Sequence, residues 1–343
     1  MIWLTWRQFR AQSFAAVAAL AVLAVIYGVT GSHLAHLYAT SGLATCHARG
    51  DCSALSSTFL TTMKSDSLYP LLFFLGLGAM YLAPAIIGIF WGAPLITREF
   101  EAGTFRLAWS QSVTRTRWMA VKLGLIGLAA IATAGLLSLM ITWWAGPIDE
   151  AGGFPASMNQ QVSRFSTVLF GARGIAPIGY AALAFALGVT AGVLIRRTLP
   201  AMAITLAVFA VIQLAWPNWV RPHLIPPVHA TAAVAVNLND AIVTHNGEMI
   251  VPVTRLPGAW IISNQTITTS GHLFVLPATG PCAGGAPPAC NAWLATQHLR
   301  RAIAYQPASR FWAFQWYETA IYLALAFALA GFCIWWVRHR RLS

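Results

Sequence analysis

Six long stretches of the chain are apolar with almost no interruption, at about 14–30, 70–96, 119–145, 175–195, 198–216 and 313–337. A helix needs about 17–25 such residues to cross the hydrocarbon of a bilayer, so each stretch predicts a transmembrane helix. The second contains Pro84 and Pro94, which predict a kink or a strong tilt. The fourth and fifth are separated by little more than Arg196 and Arg197, the mark of a tight hairpin. Residues 2–12 mix Trp3, Trp6 and Phe9 with Arg7 and Arg10. That mixture predicts a short helix lying on the membrane surface before the first crossing. It also looks like the start of a signal peptide, but no A-x-A-like cleavage site follows, so a retained anchor is expected.

The predicted architecture is an all-α polytopic membrane protein of six helices with both termini in the cytoplasm. Residues 1–216 form a membrane domain with an inner loop at 97–118. Residues 217–311 form a small extracytoplasmic subdomain, and 312–343 the sixth helix and tail. Within 217–311, β-like runs at 249–256 and 260–268 precede a Gly/Pro-rich stretch at 280–288 and a helical pattern at 291–305.

Composition agrees with lipid as the solvent. Of 343 residues 58% are hydrophobic and 9% charged, where soluble domains carry roughly 25% charged residues. The net charge of +12 does not indicate a nucleic-acid partner, because the cations sit in short clusters beside the apolar runs. Twelve of the 21 fall in roughly 50 residues on the side of the termini, and nine in roughly 160 on the other. This is the positive-inside asymmetry, and it sets the orientation. Trp143 with Trp144, Trp216 with Trp219, and Trp335 with Trp336 stand at span ends, where aromatic side chains anchor in the headgroup layer.

Cys46 and Cys52 fall in the first outer loop and Cys282 and Cys290 in the third, with Cys333 alone in the last span. Two close pairs on the outer side suit disulfides in an oxidising compartment. Free thiols are the plain alternative. A metal site from Cys46, His47 and Cys52 fits no zinc spacing well.

The most informative segment lies between the second and third spans. It holds Arg98, Glu99, Glu101, Gly103, Thr104, Phe105, Arg106, Trp109, Ser112, Val113, Thr114 and Arg115. Phe105, Trp109 and Val113 recur at four-residue spacing, one face of a helix. Ser112 or Thr114 is a candidate cap for the third span. Glu99 and Glu101 are the only acids expected on the inner side. On the residues alone, the segment is either a docking element or a solvated linker that sets topology.

The run Arg98-Glu99-x-Glu101-x-Gly103-Thr104, then Val113-Thr114-Arg115 and Lys122, resembles the ABC-2 type permease family. Ser112 stands where that family usually has proline. The opening Met1-Ile2-Trp3-Leu4-Thr5-Trp6-Arg7-Gln8 and the run Gln306-Pro307-Ala308-Ser309-Arg310-Phe311-Trp312 look like members from high-GC bacteria, so the resemblance covers nearly the whole chain. It implies the membrane subunit of an ATP-driven transporter in the bacterial plasma membrane, paired with a second permease chain. It also implies an inner loop that docks on a separate ABC ATPase subunit, where ATP and magnesium are used. Arg98, Glu99, Glu101, Gly103, Thr104, Phe105, Trp109 and Arg115 would then couple the two. Export of a hydrophobic or amphipathic small molecule is the activity implied.

Other chemistries find little support. There is no Gly-x-x-x-x-Gly-Lys-Ser/Thr cradle, and neither His-Glu-x-x-His nor Gly-x-Ser-x-Gly. An ion-gradient transporter predicts ionisable groups within the spans. Lys122 and Glu318 lie near span ends, within expected reach of water. Gly188 and Gly192 offer a weak packing face for a second copy. A non-transporting sensor or scaffold that presents the large outer loop is the rival reading.

Overall fold

The computed structural model describes residues 2–46, 52–103, 114–157, 160–162, 164–234, 241–253, 256, 258–277, 279–282 and 287–339. Six helices among them are long and apolar enough to cross a membrane: Phe9–Thr40, Leu68–Glu101, Arg115–Glu150, Ala176–Ile195, Thr198–His223 and Ala308–His339. An even number of crossings puts both termini on one side, here called the terminal face. The chain divides into two compact units, Met1–Arg221 with Trp312–Ser343, and Pro222–Phe311.

The first helix differs from expectation. Residues 2–12 are not a separate surface helix. Ile2–Thr40 is one continuous helix, because nothing between Arg10 and Phe14 breaks the backbone ladder. It also runs past residue 30, where an outer loop was expected. The continuation packs on the third span: a side chain at Gly31 would meet the rings of Trp143 and Trp144. Trp144 donates to Thr30 Oγ1 at 3.0 Å, and the Tyr27 hydroxyl donates to the Leu72 carbonyl at 2.9 Å.

The second span shows what its prolines do. The helix Leu68–Ile86 passes through a π-helical turn at Ile87–Gly92 before Pro94–Glu101 completes it. Pro94 has no N–H, so it cannot serve the Phe90 carbonyl one turn back. Gln12 of the first helix supplies that hydrogen bond at 3.0 Å.

The fourth span is the centre of the membrane unit, with 78% of its apolar window buried against 11% for the first span and 17% for the fifth. Its glycines explain how. A Cβ at Gly88 would strike the Ala184 carbonyl at 2.7 Å, one at Gly192 the Ala93 carbonyl at 2.8 Å, and one at Gly188 would collide with the Gly88 carbonyl. The Gly-x-x-x-Gly face therefore packs against the second span of its own chain and is not left for a second copy. Small residues let two backbones approach closely where no hydrophobic drive favours association.

Between the third and fourth spans, β1 (Phe154–Ser157) and β2 (Gln160–Val162) form a short hairpin. The second unit is built on an antiparallel sheet of β3 (Val228–Ala233), β6 (Trp260–Ile267) and β7 (Arg300–Gln306) in the order β3-β7-β6. β4 (Ile242–Val243) and β5 (Met249–Ile250) pair separately. The helix expected at 291–305 is shorter, Pro287–Thr296. His298 adopts a left-handed conformation at φ 46°, which stops the helix. The chain then enters β7, whose Ile303 and Ala304 are buried between two partners.

Candidate functional site

At the terminal face, the second span ends and the third begins. The second closes at Glu101, and Gly103 follows at φ 69°, a left-handed position that glycine occupies without strain. Thr114 opens the third span, its Oγ1 accepting from the Arg117 N–H at 3.4 Å. Residues 104–113 between these ends lie outside the described residues. Thr104, Phe105 and Trp109, expected in docking, belong to that stretch, as do Arg106, Ser112 and Val113.

The flanking residues are tied together. Glu99 is buried and forms an ion pair with Lys122 of the third span, Lys122 Nζ donating to Glu99 Oε1. Lys122 is itself buried, with its ammonium 4.9 Å from the centre of the Trp118 ring. Lys122 thus does not reach for water, as a position near a span end suggested; its charge is matched inside the protein. Two residues further on, Glu101 Oε1 accepts from the Thr198 backbone N–H, and Oε2 from the Thr198 hydroxyl, both at 2.8 Å. Thr97 and Thr198 share a hydroxyl contact of 2.7 Å.

The Thr198 contact has a local cause. Arg196 is left-handed at φ 58°, and Arg197 is the extended N-cap of the fifth span with no side-chain cap of its own. Arginine has only donors and cannot accept from the first N–H groups of a helix. Glu101 supplies the missing acceptor from the second span, with a negative charge where a helix N-terminus favours one. Arg98 is exposed and Arg115 half-buried. The root of the segment thus joins the second, third and fifth spans through carboxylates.

The opposite end of the membrane unit carries a second polar cluster that sequence reading missed. Arg221 grips Glu318 with two parallel bonds, Nε to Oε2 at 2.8 Å and Nη2 to Oε1 at 2.9 Å. The Tyr180 hydroxyl donates to Glu318, and the guanidinium lies 4.2 Å from the centre of the Phe170 ring. Glu318 is fully buried, so its expected access to water is overturned: the spans fold a counter-ion over it. Arg173 and Asp149 form a further pair at 3.1 Å. Gln315 accepts from the N–H groups of Ile175 and Ala176 at 3.0 and 2.8 Å, capping the fourth span from the sixth. The scarcity of acids was the available signal. Any carboxylate in so apolar a chain must have a partner.

Cys46 and Cys52 form one disulfide and Cys282 and Cys290 another. In this pairing the two sulfurs weighed as metal ligands are bonded to each other. His47 lies outside the described residues. Cys333 is free and buried.

Residues 17–221 match the model of the family described as ABC-2 membrane transporter related. The chain belongs to this family. No curated protein and no solved structure matches it. The matched region covers more than half of the chain and includes the Glu99–Lys122 and Glu101–Thr198 contacts. It ends at Arg221, where the membrane unit gives way to the unit Pro222–Phe311. The permease is a multi-pass protein of the bacterial plasma membrane. Membership makes it the membrane subunit of an ABC-type transporter and implies association with an ABC ATPase.

Proposed function

We propose that the permease pairs with a second permease chain to form an export pathway for a hydrophobic or amphipathic small molecule. ATP hydrolysis, with its magnesium, takes place on a separate ATPase subunit that docks from the cytoplasm on the segment 97–118. The reading rests chiefly on the ion pair at the root of that segment. Glu99 and Lys122 join the second and third spans, and Glu101 fastens the fifth. A push on the segment would therefore be shared by three helices, as alternating access by rocking of packed helices requires. In this arrangement Glu99 and Glu101 are positioning residues that hold the segment's frame. Contact with the ATPase falls to Phe105 and Trp109, aromatic knobs suited to apolar pockets on a soluble partner. The two disulfides belong on the outer face, in keeping with cytoplasmic termini.

The test is co-expression with an ATPase subunit. Phe105→Ala with Trp109→Ala should reduce co-purification. Lys122→Met should leave the complex assembled but lower its stimulated ATPase rate. A cysteine placed at Gly103 should react with an impermeant reagent only in inverted vesicles. Full coupled activity in all three variants, or labelling of position 103 from outside, overturns the reading. A chain that never co-purifies with an ATPase and binds a ligand through 222–311 is a sensor instead.

A further inference from the structure

The first helix and the second span do not close completely at the terminal face. Between them lies a half-open cleft of about 180 Å³, walled by Phe9, Phe90, Trp91, Leu95 and Ile126, with Arg98 at its mouth. The π-helical turn and Pro94 cause it: they shift the register of the second span just where the first helix meets it. Phe9 packs edge-on against Trp91 at 4.8 Å, joining the two walls.

We propose that this cleft is a binding site for one anionic phospholipid of the leaflet on the terminal face. Its acyl chain lies along the apolar walls, and its phosphate meets the Arg98 guanidinium. Depth supports the assignment. Arg98 is in the last turn of the span, at headgroup level, and Phe90 lies eight residues deeper, about 12 Å at 1.5 Å per residue. Most of the residues that line it are apolar, and in a bilayer its surroundings are acyl chains. Two of its polar groups are engaged within the protein, the Phe90 carbonyl by Gln12 and the Glu99 Oε1 oxygen by Lys122. Arg98, exposed and without an ion-pair partner among the described residues, is left with a donor fork that matches phosphate. Arg7 and Arg10 on the adjoining helix, both exposed, add to the positive potential. A zwitterionic lipid would fill the same walls and gain less from the charge.

The test is native mass spectrometry of the purified full-length permease from micelles doped with equal phosphatidylglycerol and phosphatidylcholine of identical chains. One phosphatidylglycerol should be retained over phosphatidylcholine by about fivefold, the worth of one arginine near an anionic surface. Arg98→Gln should remove that preference while leaving phosphatidylcholine binding unchanged. Leu95→Trp, which fills the cleft, should release both lipids. Arg338→Gln, a basic position on the sixth span outside the cleft, should change nothing. Equal retention of the two lipids by the native chain, or an undiminished preference in Arg98→Gln, overturns the proposal. So does an equal loss in Arg338→Gln, which would mean general surface charge. Should Leu95→Trp unfold, the Arg98→Gln arm still decides, because that side chain is exposed.

Discussion

The membrane unit holds a buried carboxylate–cation pair near each of its faces, and the two are built differently. Near the terminal face, Lys122 meets Glu99 through a single ammonium, with a tryptophan ring beside it. Near the opposite face, Arg221 meets Glu318 through a planar fork, with a tyrosine hydroxyl on the carboxylate and a phenylalanine under the guanidinium. A fork fixes direction as well as distance, whereas an ammonium is a point charge on a flexible stem. The Arg221 cluster is thus a rigid clamp among the fourth, fifth and sixth spans. The Lys122 pair is a joint that tolerates rotation, at the end where the proposed ATPase contact lies.

The contrast can be broken most forcefully at the clamp. Arg221→Met leaves Glu318 buried without a counter-ion and should cost about 3–5 kcal/mol, read as a lower unfolding temperature in detergent. Adding Glu318→Met should recover most of that loss; no recovery would mean the clamp is not the cause. Lys122→Met should cost less, about 3 kcal/mol, the low end of the same range, because part of the Glu99 side chain still reaches solvent. A loss as large as that of Arg221→Met would erase the distinction between clamp and joint. Exchanging the cations sharpens it further. Arg221→Lys gives up the fork and the ring stacking and should lower the unfolding temperature, while Lys122→Arg should act mainly on the coupled ATPase rate. The smallest effect is expected from Glu101→Ala. Its carboxylate is solvent-facing, so the readout is faster hydrogen exchange at the first amides of the fifth span, with the unfolding temperature almost unchanged.

Much of this architecture is legible in the sequence because lipid imposes a simple rule: runs of about 20 apolar residues must become helices. The six spans follow from that, as does the hairpin at Arg196 and Arg197. The places where expectation and structure part are those where tertiary contacts decide. No periodicity distinguishes a surface helix from the opening turns of a span, so Ile2–Gln12 looked separate. Residues 297–305 have an apolar pattern that serves helix or strand, and only pairing with β3 and β6 settles it. At the site, Glu99, Glu101 and Lys122 stood out by rarity and by family pattern. That Glu99 faces Lys122, 23 positions away, and that Glu101 caps a helix 97 positions on, is information that only the folded backbone carries. Arg221 with Glu318 was missed for the same reason: each looked like an isolated charge near a span end.

The glycine-lined seam between the second and fourth spans constrains how this protein can change shape. Where main chain rests on main chain, no side-chain rotamer is available to absorb sliding, so those two helices should travel as one rigid strut. Any rearrangement that opens and closes a passage must then fall to helices outside the strut, above all the first span, whose flank is the least buried of the six.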